Sequence, residues 1–356
     1  MDVLVIYQFC TFGGVERAIL NRVQAFRRHG MDIKVSVGYL YKDEALGSFQ
    51  GYIRAHKLED YLEAFILPQG GNFDWNQYDL VSIIDTPQVL ERIRTAENVF
   101  IECHTGYVEN RQYLKNIPGN IRGVLVPSQS FKELIEKENP DLPPVYVIPN
   151  LVSEEFYAET LPSEERVFPK RPLTYFARRD ELKNFAEAVT IYESLKDEDD
   201  VNFFVIGYGA DDKSLVELLE KKHLIERSFL RGRIGFSEAP YLTNMVKSHG
   251  GIFISPSKAE SFGLSAAEFM SAGVPVLLSN IPAHRELVQG DKRFLYNLGE
   301  IASAKKKLSA LWKDWESMGK IVAAYAERFR GEAFANAWMD FLEDQKLDVK
   351  NTTQNQ

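Results

Sequence analysis

Residues 255–276 read SPSKAESFGLSAAEFMSAGVPV, and their pattern indicates the fold class most clearly. The apolar run at 251–254 before it predicts a buried strand, and a helix is expected to begin near Leu264. Gly273 stands where a helix C-cap belongs, immediately before the next apolar run. A strand, a loop, a helix and a second strand in succession are the repeating unit of a parallel sheet.

The same alternation extends in both directions along the chain. Segments with apolar residues at helical spacing, such as 16–29, 184–195 and 213–222, lie between short β-branched runs. Strand–helix alternation on this scale predicts an α/β protein, with parallel sheets covered by helices on both faces. The other predicted strands are residues 3–6, 33–37, 80–84, 98–101, 123–126, 173–176, 201–206 and 274–278.

A length of 356 residues exceeds what one hydrophobic core usually supports, so two domains are expected. Residues 153–172 are polar, acidic and interrupted by prolines, which is typical of a linker. We therefore predict one domain over 1–160 and a second over 161–345. Its last helix, about 320–343, should pack back on the body, before a disordered tail at 346–356. Two doubly wound domains would face each other across a cleft formed by the carboxyl ends of both sheets.

The composition narrows the class of function. A net charge of −9 argues against general binding of nucleic acids. No apolar stretch approaches the roughly 18 residues needed to span a bilayer, and the N-terminus does not resemble a signal peptide. Cys10 and Cys103 are the only cysteines, which favours free thiols in a reducing compartment. We expect a soluble, cytoplasmic protein.

Residues 255–276 also contain groups that could bind a ligand. A helix N-terminus presents free amides and a positive dipole end, and Gly263 removes the side chain that would keep an anion away. Glu268 falls within the first turns of that helix, where it could accept hydrogen bonds from paired hydroxyls. Glu260 lies on the preceding loop. Two carboxylates beside a phosphate-binding helix end indicate recognition of a sugar nucleotide.

This stretch resembles the E-x7-E signature of the family 4 retaining glycosyltransferases, which belong to the glycosyl transferases group 1 and the GT-B superfamily. The resemblance implies a GT-B fold of two Rossmann-like domains. It places Glu260 at the transferred sugar and Glu268 at the ribose hydroxyls. Phe262, Gly263 and Leu264 would form the helix end that binds the nucleotide.

A second resemblance covers residues 176–184, FARRDELKN, which are similar to the family's Gly-Arg…Lys-Asn segment. Arg178 and Lys183 occupy the matching cationic positions, where two fixed charges would neutralise a diphosphate and assist its departure. The chain departs from the pattern with Ala177 in place of glycine and with a second arginine, Arg179. Either guanidinium could therefore reach the phosphates.

Two matches lie in the first domain. Residues 12–17, FGGVER, resemble a Gly-Gly loop in which Gly14 lets the backbone approach the diphosphate and acceptor. His104 follows a predicted strand, where the family often has a histidine near the sugar and the reaction centre. The resemblance therefore implies His104, Glu260, Arg178 and Lys183 as the catalytic group.

Two further motifs give little support for a functional site. Residues 207–212, GYGADD, begin like a dinucleotide fingerprint but lack its third glycine. Residues 197–199 read DED, but they precede a strand and so lie at the sheet edge opposite the ligand edge, as a solvated turn. The cysteine and histidine spacings indicate no zinc site, and the resemblance requires no metal.

The implied activity is transfer of a sugar, with retention, from a UDP- or GDP-sugar to a glycan, lipid-linked or small-molecule acceptor in polysaccharide or glycoconjugate synthesis. The nucleotide sugar is a co-substrate, and no further cofactor is expected. An epimerase or phosphorylase of the same architecture, and an inactive sugar-nucleotide-binding or scaffold module, remain alternatives. The basic residues of the helix at 16–29 suggest at most weak peripheral contact with membranes; they are Arg17, Arg22, Arg27 and Arg28.

Overall fold

The structure is a computed structural model, and it describes residues 1–11, 13–42, 45–70, 73–157, 170–207, 209 and 212–347. The chain divides into two compact units. The first unit comprises residues 1–151 and the segment that begins at Phe329, and the second unit spans Val152–Arg328.

The first unit is built on a seven-stranded sheet in which every strand pair is parallel. Its strands are β1 (Asp2–Phe9), β2 (Lys34–Tyr41), β3 (Leu62–Ile66), β4 (Leu80–Ile84), β5 (Val99–Glu102), β6 (Ile121–Val126) and β7 (Val145–Val147). The order β3-β2-β1-β4-β5-β6-β7 reverses direction between β1 and β4. Open parallel sheets bind ligands at the carboxyl ends of the strands beside such a switch point.

Helices and short 3-10 turns connect these strands. The helices are α1 (Gly14–Arg28), α2 (Ala45–Ala55) and α3 (Gln129–Glu138), and the 3-10 turns are Trp75–Gln77, Pro87–Val89 and Glu109–Asn116. Ser128 caps α3 by accepting a hydrogen bond from the amide of Phe131 at 3.2 Å, which satisfies one of the free amides of the first turn.

The second unit contains a six-stranded parallel sheet in the order β10-β9-β8-β11-β12-β13. Its strands are β8 (Arg171–Phe176), β9 (Val201–Ile206), β10 (Ser228–Arg231), β11 (Ile252–Ser255), β12 (Val276–Ser279) and β13 (Leu295–Tyr296). Here the order reverses between β8 and β11. The carboxyl ends of these two strands therefore mark the switch point of the second sheet.

Seven helices cover the second sheet within the described residues. They are α4 (Phe185–Glu193), α5 (Lys213–Lys221), α6 (Glu238–Ser248), α7 (Leu264–Ser271), α8 (Pro282–Leu287), α9 (Ile301–Lys313) and α10 (Trp315–Ala326), with 3-10 turns at Glu154–Phe156, Ile225–Arg227, Lys292–Phe294 and Glu327–Phe329. Helix α10 approaches the end of α7 so closely that a Cβ on Gly319 would come 2.5 Å from the carbonyl oxygen of Gly273.

The chain returns to the first unit through the last helix, α11 (Gly331–Asp344). Helix α11 packs on α1, where the ring of Phe26 lies 5.5 Å from that of Phe334 and 5.6 Å from that of Trp338, between centroids. The prediction of one continuous helix over about 320–343 is therefore wrong. The segment forms two helices separated by a 3-10 turn, and the second belongs to the first unit rather than to the domain predicted over 161–345.

The division at Leu151 also precedes the boundary predicted at residue 160. Most of the predicted linker, at 158–169, lies outside the described residues, as does the predicted disordered tail from residue 348 onward. Among the described residues, no helix combines the length and apolar character required to cross a bilayer.

Of the four arginines of α1, one is not available at the surface. Arg22 is buried, with 6% of its surface exposed, because it donates to Glu102 at the end of β5 and its guanidinium lies over the ring of Phe334 in α11. Arg27 and Arg28 at the end of α1 are exposed, and the guanidinium of Arg27 lies over the ring of Tyr61. Arg22 therefore cannot contribute to a membrane-facing surface.

Candidate functional site

The loop between β11 and α7 carries Glu260, whose carboxylate is held from two sides. Nζ of Lys183 lies 2.6 Å from Oε1 and 2.7 Å from Oε2, and the Ser257 hydroxyl donates to Oε1 at 2.8 Å. Burial alone would raise the pKa of Glu260, but the charge of Lys183 outweighs it and holds this pKa below its ordinary value. Glu260 is therefore an anion at neutral pH, in contact with a cation from another loop.

Lys183 lies at the end of the loop that follows β8. Its amide donates to Oδ1 of Asp180 at 2.9 Å, which closes a turn within this loop. The amide of Lys258 donates to the carbonyl of Leu182 at 2.7 Å. The loops after β8 and β11, which flank the switch point of the sheet, are thus joined by backbone as well as by the Lys183–Glu260 contact.

The two neighbouring arginines have different environments. Arg179 is 19% exposed, donates to the carbonyl of Gly209 at 2.7 Å and lies over the ring of Phe185. Arg178 is 63% exposed and forms an ion pair with Asp180 at 3.1 Å. Arg179 is thus committed to packing within the second unit, whereas the guanidinium of Arg178 is accessible to a ligand.

Gly263 makes the sharp entry into α7. Its φ of +98° lies in the left-handed region, and a Cβ there would come 3.1 Å from Cδ1 of Leu287. Helix α7 begins at Leu264, so the free amides of its first turn follow Gly263 directly. Phe262 is buried, and Glu268 on the second turn is 1% exposed.

A buried histidine that the sequence analysis missed lies under this loop. His284, in α8, is fully buried, with Nδ1 3.0 Å from the carbonyl oxygen of Ser279 and Nε2 3.4 Å from the hydroxyl of Ser255. The Ser255 hydroxyl is 3.1 Å from that of Ser257, which bonds Glu260. Burial lowers the pKa of His284 to about 4, so the ring is neutral at pH 7.

A signal for His284 exists in the sequence. Pro282 follows the apolar run 274–278 by four residues, which is typical of a helix beginning just after a strand. A histidine two residues into such a helix lies at the carboxyl edge of the sheet. The same edge carries Glu260, so the two positions could have been linked.

In the first unit, His104 follows β5 and is held by Glu102. Nε2 of His104 lies 2.9 Å from Oε2 of Glu102. Glu102 is 1% exposed and also accepts from Arg22 at 2.9 Å and from the hydroxyl of Ser82 at 2.6 Å. Burial would raise the pKa of Glu102, but Arg22 and His104 outweigh burial and hold the pKa well below its ordinary value. Neither Glu102 nor Arg22 was singled out from the sequence as part of a site.

Asp85 fixes the main chain at the same position. It follows β4 with a φ of +41°, a left-handed conformation that aspartate tolerates better than most residues. Oδ2 of Asp85 accepts the amide of His104 at 3.0 Å, and burial raises the pKa of Asp85 to about 6. The ends of β4 and β5 are thus tied together at His104.

The Gly13–Gly14 turn that opens α1 is held by the buried carboxylate of Glu16. Oε2 of Glu16 accepts from the amide of Gly13 at 2.7 Å and from the hydroxyl of Thr11 at 3.2 Å, and Oε1 accepts from Tyr39 at 3.2 Å. A Cβ on Gly14 would have no heavy atom within 4 Å, so the space above it is open. Phe12 of the predicted loop lies outside the described residues.

Two motifs set aside in the sequence have structural roles. A Cβ on Gly207 would come 2.4 Å from the carbonyl oxygen of Ala177, so the glycine permits close approach of two strand ends. Tyr208, Ala210 and Asp211 of the same motif lie outside the described residues. Residues 197–199 form a partly exposed turn before β9, as predicted.

Comparison with known proteins identifies the second unit. Residues 159–329 match the family model described as glycosyl transferases group 1. The match covers almost all of the second unit, which therefore carries a group 1 glycosyltransferase domain. The family 4 subdivision inferred from the E-x7-E signature stays a prediction.

The curated relatives of this chain are distant in sequence. It is 32% identical over 97 residues to the O-antigen biosynthesis glycosyltransferase WclY of Escherichia coli, spanning 27% of the chain and only 26% of that relative. It is 24% identical over 226 residues to the N-acetyl-alpha-D-glucosaminyl L-malate synthase of Bacillus anthracis, covering 60% of the chain and 57% of that relative.

A solved structure supplies the fold comparison. HepE of Anabaena, in complex with UDP and glucose, superposes with a TM-score of 0.76 and 19% identity, covering 97% of this chain and all of HepE. This likeness and the two parallel sheets confirm the predicted fold class: α/β of the GT-B type, with two Rossmann-like doubly wound domains.

The predicted site residues fall into two sets. Those in the second unit follow β8 and β11, and the structure brings Lys183 and Glu260 into direct contact. His104 and Gly14 follow β5 and β1 in the first unit. The second-unit set is Arg178, Lys183, Glu260, Phe262, Gly263, Leu264 and Glu268. The described residues contain no group of three or more His, Cys, Asp or Glu side chains able to hold a metal ion.

Proposed function

We propose that this protein is a retaining glycosyltransferase that moves a sugar from a nucleotide-diphosphate sugar to an acceptor hydroxyl. The observation that carries the proposal is the Lys183–Glu260 contact. A cation suited to a diphosphate and a carboxylate suited to a sugar meet at the switch point of a parallel sheet, beside the N-terminus of α7. The match of residues 159–329 to the group 1 family supports it.

The diphosphate would bind between the first amides of α7 and the side chains of Arg178 and Lys183. Gly263 leaves the helix end uncovered, and Phe262 and Leu264 flank it. Glu268 would accept hydrogen bonds from the ribose hydroxyls. Because Lys183 already contacts Glu260, the incoming phosphate would share this ammonium group and bring the sugar next to the carboxylate.

In the reaction, the bond between the anomeric carbon and the β-phosphate oxygen breaks, and the nucleoside diphosphate leaves with the electron pair. The acceptor oxygen forms its bond on the same face of the sugar, and its proton passes to the departing phosphate. Arg178 and Lys183 would stabilise the charge that develops on the phosphate, which is where fixed cations contribute most. Glu260 would stabilise positive charge on the sugar.

In the first unit, His104 and the Gly14 turn are the residues that we propose to act on the ligand. His104 would orient the sugar, and the open space above Gly14 would admit the diphosphate and acceptor. UDP and glucose are bound in the HepE structure, and WclY acts in O-antigen biosynthesis. By analogy we propose a UDP- or GDP-sugar donor and a glycan, lipid-linked or small-molecule acceptor in polysaccharide synthesis. The reaction would need no metal.

The cellular setting that fits this reaction is the cytoplasm, where nucleotide sugars are made. We propose at most weak, salt-sensitive contact with the inner face of a membrane. The net charge of −9 supports this, since it opposes attraction to anionic lipids.

A donor panel tests the proposal. UDP-glucose, UDP-N-acetylglucosamine and GDP-mannose are each added, and the shift in melting temperature is measured, because a ligand of the folded state stabilises it. Slow release of nucleoside diphosphate without an acceptor is then measured for the donor that binds. Binding of a donor without any turnover, even with glycan acceptors, would indicate an inactive binding module instead.

A further inference from the structure

Glu102 is a buried anion with a defined set of partners. Its carboxylate accepts from Arg22, Ser82 and His104, all within 2.9 Å. Arg22 is 7% exposed at its side chain and Glu102 is 1% exposed. An anion and a cation enclosed together each prevent the other from losing its charge. Glu102 is therefore ionised, and it acts only as an acceptor of hydrogen bonds.

The charge state of Glu102 determines where the proton of His104 lies. An acceptor-only carboxylate 2.9 Å from Nε2 requires that Nε2 carry hydrogen. In the neutral ring, Nδ1 is then the bare nitrogen. Nδ1 has no hydrogen-bond partner among the described residues, and it is not one of their fully buried unpartnered atoms. The side chain is 14% exposed, so Nδ1 reaches solvent.

We propose that Glu102 and Arg22 are positioning residues that keep the proton of neutral His104 on Nε2 and present Nδ1, at the carboxyl edge of the first sheet, as an acceptor for a hydroxyl of a sugar substrate. This inference rests on the proposed function for its ligand. It assigns to the buried pair a role in the site, although neither side chain touches the substrate.

The surroundings of the pair support a positioning role. The amide of His104 donates to Asp85, which fixes the backbone at 3.0 Å, so only the ring remains to be oriented. Glu102 orients the ring, and Arg22 reaches Glu102 from α1 across the sheet face. Carboxylates that hold one nitrogen of a catalytic imidazole fix its tautomer and orientation in the same way.

The test measures the tautomer directly. Nitrogen-15 labelled protein is examined by two- and three-bond proton–nitrogen NMR correlation, which distinguishes a protonated from a bare ring nitrogen. His104 is assigned from the spectrum of His104→Gln. The variant Arg22→Met/Glu102→Gln removes both buried charges together, because Glu102→Gln alone would leave Arg22 uncompensated. Wild type should show His104 with hydrogen on Nε2 only, and the double variant should show hydrogen on Nδ1 in part of the molecules.

A matched control uses the exposed ion pair of Arg94 and Glu91, whose side chains are 57% and 77% exposed. The variant Arg94→Met/Glu91→Gln makes the same two substitutions and should leave the tautomer of His104 and donor turnover unchanged. A His104 ring that keeps hydrogen only on Nε2 in Arg22→Met/Glu102→Gln would overturn the positioning role.

A kinetic cycle tests whether the pair acts through His104. Hydrolysis of the donor selected from UDP-glucose, UDP-N-acetylglucosamine and GDP-mannose is measured for His104→Gln, for Arg22→Met/Glu102→Gln and for the triple variant. Each change should lower turnover about tenfold or more, and the triple variant should lose no more than the larger single effect. If the triple variant lost turnover by the product of the two separate factors, the pair would act independently of His104 and the inference would be overturned. Absence of turnover and donor binding in wild type would instead overturn the proposed function, and the NMR result would still stand or fall on its own.

Discussion

The ammonium group of Lys183 and the carboxylate of Glu260, 77 residues apart in sequence, lie 2.6 Å apart at the switch point of the second sheet. The contact is partly exposed, with 23% of the Lys183 side chain and 12% of the Glu260 side chain accessible. Each group is therefore held in place by the other and still reachable by a ligand. A diphosphate that approaches Lys183 necessarily arrives beside Glu260.

Lys183→Ala should reduce turnover of the donor by about 10²–10³, because its charge acts where the leaving group gains negative charge. Binding of the bare nucleoside should change much less. Steady-state kinetics and calorimetry measure the two effects. Lys258→Ala removes another lysine from the same pair of loops, exposed and 3.3 Å from Glu181, and should have little effect. If the turnover of Lys183→Ala stayed within threefold of wild type, Arg178 rather than Lys183 would be the residue that stabilises the departing phosphate.

Arg178→Ala and Arg179→Ala should separate ligand binding from stability. Arg179 donates a charge-assisted hydrogen bond inside the fold, so its loss should lower the free energy of unfolding by about 1.5–3 kcal/mol. Arg178 is exposed, and its loss should change stability by about 0.5 kcal/mol or less. It should weaken binding of the nucleoside diphosphate roughly 10- to 100-fold. The reverse pattern in chemical denaturation and calorimetry would assign the phosphate to Arg179.

Glu268→Gln should weaken binding of UDP or GDP about tenfold, because the ribose hydroxyls would lose a charged acceptor. Glutamine keeps the volume at a position that is 1% exposed. The matched ligand is the 2′-deoxy nucleoside diphosphate, which should bind wild type less tightly and be nearly insensitive to the substitution. If Glu268→Gln weakened the binding of both ligands equally, Glu268 would not be the residue that binds the ribose hydroxyls.

The buried ring of His284 should make stability depend on pH. Burial lowers its pKa to about 4, while in the unfolded chain the ring takes up a proton near pH 6.5. Between these values the unfolded state binds more protons, so this contribution is complete above pH 6.5 and falls as the pH drops toward 4. From pH 7 to pH 5 the loss should be about 2 kcal/mol.

Urea denaturation of wild type and His284→Gln at pH 7 and pH 5 measures this contribution. The glutamine variant should be less stable at pH 7 but should lose about 2 kcal/mol less than wild type on acidification. His56→Gln replaces an exposed histidine and should keep the wild-type pH dependence. A loss in His284→Gln as large as in wild type would show that the ring titrates normally in the folded state.

Sedimentation with anionic vesicles tests membrane contact. With Arg22 buried and a net charge of −9, binding at low salt should be weak and should disappear at physiological salt, where charges beyond about 8 Å are screened. Neutral vesicles provide the control. Retention at high salt would instead require an apolar contact with the bilayer.

The sequence alone was sufficient to predict the interior strands of both sheets. All nine predicted strands are present, and each has a neighbour on both sides. The four strands that sequence reasoning missed, β3, β7, β10 and β13, are the four edge strands. Interior parallel strands are buried on both faces and read as continuous apolar runs. Edge strands are short or half-exposed, as in the three residues of β7 and the alternating exposure of β10, so their sequences carry a weak signal.

The sequence also located the loops that carry the candidate site, because local patterns such as a strand followed by glycine and a helix fix the sheet edge on which a residue lies. It did not decide between Arg178 and Arg179, since that difference depends on Gly209 and Phe185, which are distant in the chain or on another element. Only the tertiary structure showed that His284 is buried and connected to Glu260 through the hydroxyls of Ser255 and Ser257.

The same reason explains Arg22 and the last helix. The four arginines of α1 suggest a basic surface. Arg22 leaves that surface because α11, some 300 residues away in the chain, packs against it and Glu102 supplies the opposite charge. Burial of a charge is a property of which distant segments pack together, and periodicity within one segment contains no information about it. Local chemistry therefore follows from the sequence alone, whereas the partners that set its charge and orientation come from the fold.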